Sequence, residues 1–599
     1  DGGFVMTAMR RLALFACALC APVAAGASGT EQAEPGNAAR ARHDRAFPVP
    51  AQLTPAQRAA YRAIFADLSA GNWAGAIGRL DEMREGPLHD IVRAQLFTMA
   101  GSPRVELEPL LILLARAPEL PQAGDLARLA RLRGATTLPP LPATQRLVGL
   151  RGQPRRQRPA PTRGEPLAQE LDGLIQPLVL DDKPAEAEAI LLSRGAELSL
   201  EARTEFQQRI AWTYYREGFH REALRLAGQA RLGPGDWAVQ GDWVAGLAAW
   251  QLGDCAAAET SFLNVARRTA DSELAAAGHY WASRASLRCG HPERVQAQLR
   301  AAANNEETFY GLLAESALGV RRPPAGEVEV LTQRDWAMLS ARPNIRAAVA
   351  LLEAGETGLA EATLRHQARI GAPAEHVALT RLAARLNLPA LQMYLAHNAP
   401  SGVRPGRHDR YPAPDWRPHN GWQVDQALAY AHALQESNFQ PNALSHAGAR
   451  GLMQVRPGTA GDLVRWGRAA GDANRLNDPA TNLTFGQAYM GYLRDQSGTD
   501  ALLPRVIAAY NAGPGPIATW TAEGVGAGDP LLYIESLPYW ETRGYLPIIL
   551  RNYWMYEYQP ADRSPTRRAL AQGLWPRFPG TPGPTAVRLA PTGSTAGTD

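Results

Sequence analysis

Apolar residues recur at helical spacing over most of this chain. Tyr61, Ile64, Phe65 and Leu68, then Ala76, Leu80 and Met83, fall three or four residues apart, which places each set on one helix face. Gly71-Asn72 and Gly101-Ser102-Pro103 interrupt the pattern, so residues 28–134 read as helical hairpins. After Pro166 the pattern returns with a loose period in the mid-thirties, the size of a two-helix repeat. Ile210-Ala211-Trp212-x-Tyr214-Tyr215, Leu247-Ala248-Ala249-Trp250 and Tyr280-Trp281-Ala282 are its copies, with aromatics and alanines on the first helix of each. One such unit cannot bury its apolar face alone, so residues 167–400 are expected to stack into a superhelix.

Three stretches break the pattern. Residues 135–166 carry Pro139-Pro140, Pro142 and a Pro/Arg run from Pro154 to Pro161, which reads as an exposed linker with little to bury. Residues 401–421, with Pro405, Pro412, Pro414 and Pro418, read as a junction. Residues 560–599 run through repeated prolines into Thr, Ser and Gly and are expected to be disordered. At the other end, Arg10-Arg11, the apolar run Leu12–Ala25 and small residues around Ala25-Gly26-Ala27 read as a secretory leader, within residues 1–27. That predicts export to the periplasm without stable membrane insertion.

Between Trp422 and Asn438 the helical pattern resumes with Val424, Leu428, Ala431 and Leu434, and Pro441 is expected to close it. Glu436 then sits in the last turn. A carboxylate there faces the negative end of the helix dipole, with Leu434 and Phe439 nearby, and both conditions disfavour its charged form. The small residues Gly448-Ala449-Arg450-Gly451 allow the backbone to fold back past the helix end and build a cleft wall.

The stretch Glu436-Ser437-Asn438-Phe439-x-Pro441-x-Ala443-x-Ser445-x-Ala447-Gly448-Ala449-x-Gly451-Leu452-Met453-Gln454-Val455 resembles the catalytic motif of the soluble lytic murein transglycosylases. Three further blocks resemble that family in the same order: Asn482-Leu483-x-x-Gly486-x-x-Tyr489, Ala509-Tyr510-Asn511-Ala512-Gly513, and Glu535-Ser536-Leu537-Pro538-Tyr539-x-Glu541-Thr542-Arg543-x-Tyr545. Thr308-Phe309-Tyr310-Gly311-Leu312-Leu313-Ala314 resembles part of its long helical region. The resemblance implies an all-α fold, a ring-shaped superhelix of helical hairpins followed by a lysozyme-like catalytic domain over residues 422–559. It implies cleavage between N-acetylmuramic acid and N-acetylglucosamine with Glu436 as acid and then base, leaving 1,6-anhydro ends. Ser437 and Ser445 would hydrogen-bond the acid or the sugar, Met453 and Gln454 would line the cleft, Tyr510 would sit close to the acid, and Asn511 would shape its turn. Glu541 would be a supporting acid, the alternative being an ion pair with Arg543. Arg456 departs from the family's usual apolar residue.

Composition narrows the alternatives. Lys and Arg number 62 against 58 Asp and Glu, a net charge of +4, so no electrostatic footprint for nucleic acid is present. The one lysine, Lys183, follows Asp182, which excludes a phosphate loop ending in Gly-Lys. No Gly-x-Ser-x-Gly elbow occurs, and the cysteines outside the leader, Cys255 and Cys289, lie far from the catalytic region. Those two fall near the ends of successive repeat helices, which leaves a disulfide and two buried thiols both open. His432 shares a helix face with Glu436, but one His and one Glu make an incomplete metal site. No metal or organic cofactor is expected. The expected partners are peptidoglycan strands, with other cell-wall enzymes as candidates, and the chain is expected to be monomeric. A lysozyme-type hydrolase, using Asp425, Asp478 or Glu535 as second carboxylate, and a catalytically degenerate binding protein are the competing readings.

Overall fold

The computed structural model describes residues 45–150, 152–320, 329–526, 528–557 and 564–590; the leader lies outside them. Among the described residues there are 27 α-helices and only four strands, none longer than three residues, so the chain is all-α. No described helix is long and apolar enough to cross a membrane.

The repeats appear as helix pairs. Leu200–Arg216, Gly235–Leu252 and Ser272–Arg288 start 35 and 37 residues apart, and each is followed by a shorter helix: His220–Ala230, Cys255–Arg268 and Pro292–Ala303. The first helix of a pair lies inside the stack, which is why all twelve residues from Ala238 to Ala249 are buried. Close approach requires glycine there: a Cβ on Gly246 would lie 2.6 Å from the Phe262 ring. Asp254 and Asp271 start the following helices by accepting from backbone N–H groups of the first turn. Cys255 opens one helix and Cys289 caps the next, and a disulfide joins them with Cα atoms 5.6 Å apart.

Packing does not follow chain order. Residues 46–130 and 331–395 share one hydrophobic core. They are tied by Phe47 N–H donating to Leu331 O at 2.8 Å, by an Arg58–Glu353 ion pair, and by Asn344 donating to Glu119 O at 2.7 Å. The unit expected at 28–134 and the last part of that expected at 167–400 are therefore one body, and the superhelix closes on itself. Residues 168–318 instead share their core with the C-terminal domain.

Two compositional readings need correction. The Pro/Arg-rich linker over 135–166 is built into the fold: Leu147–Gly149 pairs antiparallel with Asn398–Pro400, and Arg156 reaches Glu535. Proline removes N–H donors, and other elements satisfy those that remain, as when Gln157 N–H donates to Asp271 at 2.7 Å and Thr162 N–H to Glu205 at 2.6 Å. The tail expected to be disordered over 560–599 contains the helix Pro565–Ala571 and the paired strands Trp575–Pro576 and Ala586–Val587; residues 560–563 and 591–599 lie outside the described residues. Leu570, Trp575 and Phe578 are buried in the domain core, and three such side chains outweigh the surrounding proline.

Candidate active site

Helix Gln426–Ser437 carries Glu436 in its last turn. Asp425 caps its start by accepting from Ala427 N–H at 2.8 Å. Its end is set three residues before Pro441, by Asn438 at φ 51° and Phe439 at φ 59°. A bulky residue in the left-handed region is strained, and burial of Phe439 against Tyr430, ring centroids 5.6 Å apart, holds it there.

That turn brings the chain back as a wall beside the acid. Ser445 Oγ accepts from Ala449 N–H at 3.0 Å, and Ser437 Oγ donates to Leu452 O at 2.8 Å. Gln454, itself at φ 48°, donates to Ala443 O and Gly451 O at 3.2 and 2.9 Å. Met453 is fully buried, and its N–H donates to Asn482 Oδ1 at 2.7 Å. Only glycine fits at Gly451, at φ 73°, where a Cβ would lie 2.2 Å from Leu476 O. Four of the sequence-derived site residues, Ser437, Ser445, Met453 and Gln454, are therefore fastened to backbone or core. They shape the wall, and neither serine hydrogen-bonds Glu436.

The acid's own partner is Tyr545, whose Oη donates to Glu436 Oε1 at 2.6 Å. Tyr510 Oη donates to Met453 O at 2.8 Å, and the ring stands close enough for the Glu436 charge to raise its pKa further, beyond the larger effect of burial. Burial pushes the Glu436 carboxyl up to about 7; the Tyr545 hydrogen bond opposes that and the charge of Glu541 adds to it.

Residues 417–529, which hold this helix, the wall and Tyr510, match the family model described as the transglycosylase SLT domain. The chain carries a transglycosylase SLT domain. It is homologous there to the soluble lytic murein transglycosylase of Escherichia coli strain K12, 38% identical over 146 residues, 24% of this chain and 22% of that protein. The soluble lytic murein transglycosylase of Salmonella typhimurium strain LT2 is 39% identical over 132 residues, 22% of this chain and 20% of that protein. The matched stretch thus spans about a fifth of the length of these curated relatives. The fold likeness extends further. The crystal structure of the 70 kDa soluble lytic transglycosylase Slt70 from Escherichia coli superposes with a TM-score of 0.54 at 18% identity, over 87% of this chain and 99% of that one. An inactive mutant of the lytic transglycosylase Slt from Pseudomonas aeruginosa gives 0.52 at 20% identity, over 88% and 79%.

The other candidate second carboxylates are engaged with other partners. Asp425 caps the opposite end of the same helix, eleven residues and so about 16 Å away. Asp478 caps Pro479–Arg494 and accepts from Thr481 N–H and Oγ1 at 2.9 and 2.7 Å. Glu535, beyond the matched stretch, is 1% exposed and accepts from two Arg156 nitrogens at 2.6 and 2.8 Å and from Tyr310 Oη at 2.6 Å. Among described carboxylates, Glu541 is the one whose charge acts on Glu436. It is exposed and accepts from Asn511 Nδ2 at 3.0 Å, while Asn511 Oδ1 accepts from Thr542 Oγ1 at 2.7 Å. The alternative ion pair is not formed: Arg543 donates to Leu537 O and Pro538 O instead.

His432 lies beneath the site, fully buried, with Nδ1 donating to Leu428 O at 2.9 Å and its ring 4.7 Å from Tyr510. Burial lowers its pKa to about 4, so it is neutral. No group of three or more His, Cys, Asp and Glu among the described residues is arranged to hold a metal. Sequence reasoning assigned no role to Tyr545 or Asn482. Both lie inside the motif blocks, and those blocks were the available signal.

Proposed function

We propose that the chain is a periplasmic lytic transglycosylase of peptidoglycan, cleaving the β-1,4 bond between N-acetylmuramic acid and N-acetylglucosamine without water. The observation that carries the reading is one half-buried carboxyl with its pKa near 7, hydrogen-bonded by Tyr545, while the domain's other candidate carboxylates are engaged elsewhere. Two-carboxylate glycosidases need a second acidic group facing the bond. A single group poised near neutrality suits a reaction in which it donates and then accepts the same proton.

Glu436 protonates the glycosidic oxygen as the C1–O bond breaks, and the 2-acetamido oxygen covers C1. The resulting carboxylate, held by the Tyr545 hydroxyl, takes the proton of the muramic 6-hydroxyl as O6 bonds to C1. Glu436 ends protonated, and the product carries a 1,6-anhydro ring. The leader and this substrate together give the periplasmic location.

Mass spectrometry of digested sacculi tests the reaction. Anhydro ends, one water lighter than reducing ends, are expected; reducing ends would establish the hydrolase instead. Tyr545→Phe tests the proton chemistry. Loss of this donor destabilises the carboxylate, so the Glu436 pKa rises and the protonated acid persists to higher pH. The alkaline limb of the rate profile should move up by about half to one pH unit, the equivalent of a hydrogen bond of roughly 1 kcal/mol. An unmoved limb would assign that limb to another group.

A further inference from the structure

Four aromatic rings run outward from the neighbourhood of Glu436. Tyr510, beside the acid, meets Tyr489 edge-on with ring centroids 5.3 Å apart. Tyr489 lies nearly parallel to Tyr492 at 6.1 Å and 15°, and Tyr492 stacks on Trp466 at 4.9 Å and 24°. Local structure sets the row. Tyr489 and Tyr492 stand three residues apart on helix Pro479–Arg494 and so share a face. Trp466 follows helix Pro457–Arg465, and its N–H donates to Asp462 O at 2.9 Å before the chain turns at Gly467, φ 66°.

Exposure rises along the row. Tyr510, Tyr489 and Tyr492 are half-buried, whereas Trp466 is 51% exposed, with one indole face on Tyr492 and the rest in water. A single exposed indole carries little meaning by itself. This one ends a continuous series of rings that begins at the catalytic acid. The bond-breaking chemistry described above uses neither Trp466 nor Tyr492, and both lie outside the four motif blocks. The arginines that flank the indole in the chain have partners of their own: Arg465 pairs with Asp462, and Arg468 with Asp495 at 2.8 Å. A charged ligand would have to break those pairs, whereas an uncharged one with an apolar face would not.

We propose that Trp466 is a specificity-determining residue, the outer end of an aromatic track that grips the glycan strand several sugars away from the bond being cut. The C–H face of a pyranose lies on the open indole face, and the N-acetyl and hydroxyl groups at the sugar's edge stay in water. Resting on the function proposed above, the occupant is the uncharged N-acetylhexosamine backbone. The consequence is a preference for long strands, because a short oligosaccharide seated at Glu436 does not reach a ring three steps away.

The probes are chitobiose and chitohexaose, titrated by calorimetry against the full chain carrying Glu436→Gln, in which no bond breaks. The hexasaccharide should bind more tightly than the disaccharide. Trp466→Ala should remove about two- to tenfold of that gain, the worth of one aromatic contact, and Trp466→Phe should restore most of it. With Trp466 in place, the hexasaccharide should also protect it from oxidation by N-bromosuccinimide, followed by mass spectrometry of the peptide that carries it. A length gain that is absent, or undiminished in Trp466→Ala, would overturn the proposal. So would an indole oxidised equally fast with and without the hexasaccharide, a result that depends on no variant at Trp466. Binding is read with the bond intact, so its failure leaves the anhydro-end result standing, and reducing-end products would leave a positive binding result standing.

Discussion

Glu436→Gln should lower turnover on sacculi by at least about 10²–10⁴-fold, the range of general acid–base catalysis, while glycan binding survives. Gln keeps the shape and still accepts from Tyr545 Oη, so the 2.6 Å contact can persist without a transferable proton. One group fills both roles in the proposed mechanism, so an added nucleophile such as azide should restore nothing. The same variant should be more stable than the wild type at alkaline pH. Burial raises the Glu436 pKa from 4.5 to about 7, so the folded state holds a proton that the unfolded state releases. The wild type therefore loses stability as pH rises between those values, and above about 7 the whole cost, roughly 1–3 kcal/mol, is present. Gln does not ionise and escapes it. Thermal melting at pH 4 and pH 8 checks this: the two proteins should converge at the lower pH and separate at the higher. Retention of more than about a tenth of wild-type turnover would remove Glu436 from the centre of the mechanism.

Glu535→Gln should loosen the C-terminal domain from the superhelix. Glu535 is 1% exposed, and Arg156 is 15% exposed. Taking one partner from such a pair leaves a buried charge uncompensated, at about 3–5 kcal/mol. Tyr310 Oη also loses a charged acceptor at 2.6 Å. Calorimetry should then resolve a lower-melting transition, and limited proteolysis should cut faster within residues 401–421. Arg156→Met added to Glu535→Gln should recover much of the loss, because removal of both charges ends the desolvation cost. Coincident melting of Glu535→Gln and wild type would place the docking energy elsewhere, such as the stacked Phe309–Trp554 pair, 5.3 Å apart.

The block from Glu535 to Tyr545 joins these two predictions. Its first residues dock the domain: Glu535 binds Arg156, and Ser536 Oγ lies 2.7 Å from Tyr215 Oη. Its last residue, Tyr545, holds the acid. One short motif therefore couples the seating of the domain on the superhelix to the position of the proton donor.

The sequence by itself determined the helices, the repeat length, the helix-end placement of Glu436 and the four motif blocks. Each depends on interactions within a few residues: the 3.6-residue period, capping Asp at 254, 271 and 425, and glycine where the backbone must turn. Even there, the stop at Asn438 in place of Pro441 was missed, because left-handed φ at Asn438 and Phe439 is held by packing of the Phe439 ring. Only the tertiary structure decided which residues meet Glu436, that residues 46–130 close onto 331–395, and that the proline-rich linker and much of the tail are built into the fold. Arg156 and Glu535 are 379 residues apart, and Tyr545 and Glu436 are 109 apart. Periodicity states that a face will be buried. It does not name the opposing face, which depends on how the whole set of helices fills space and satisfies its buried charges.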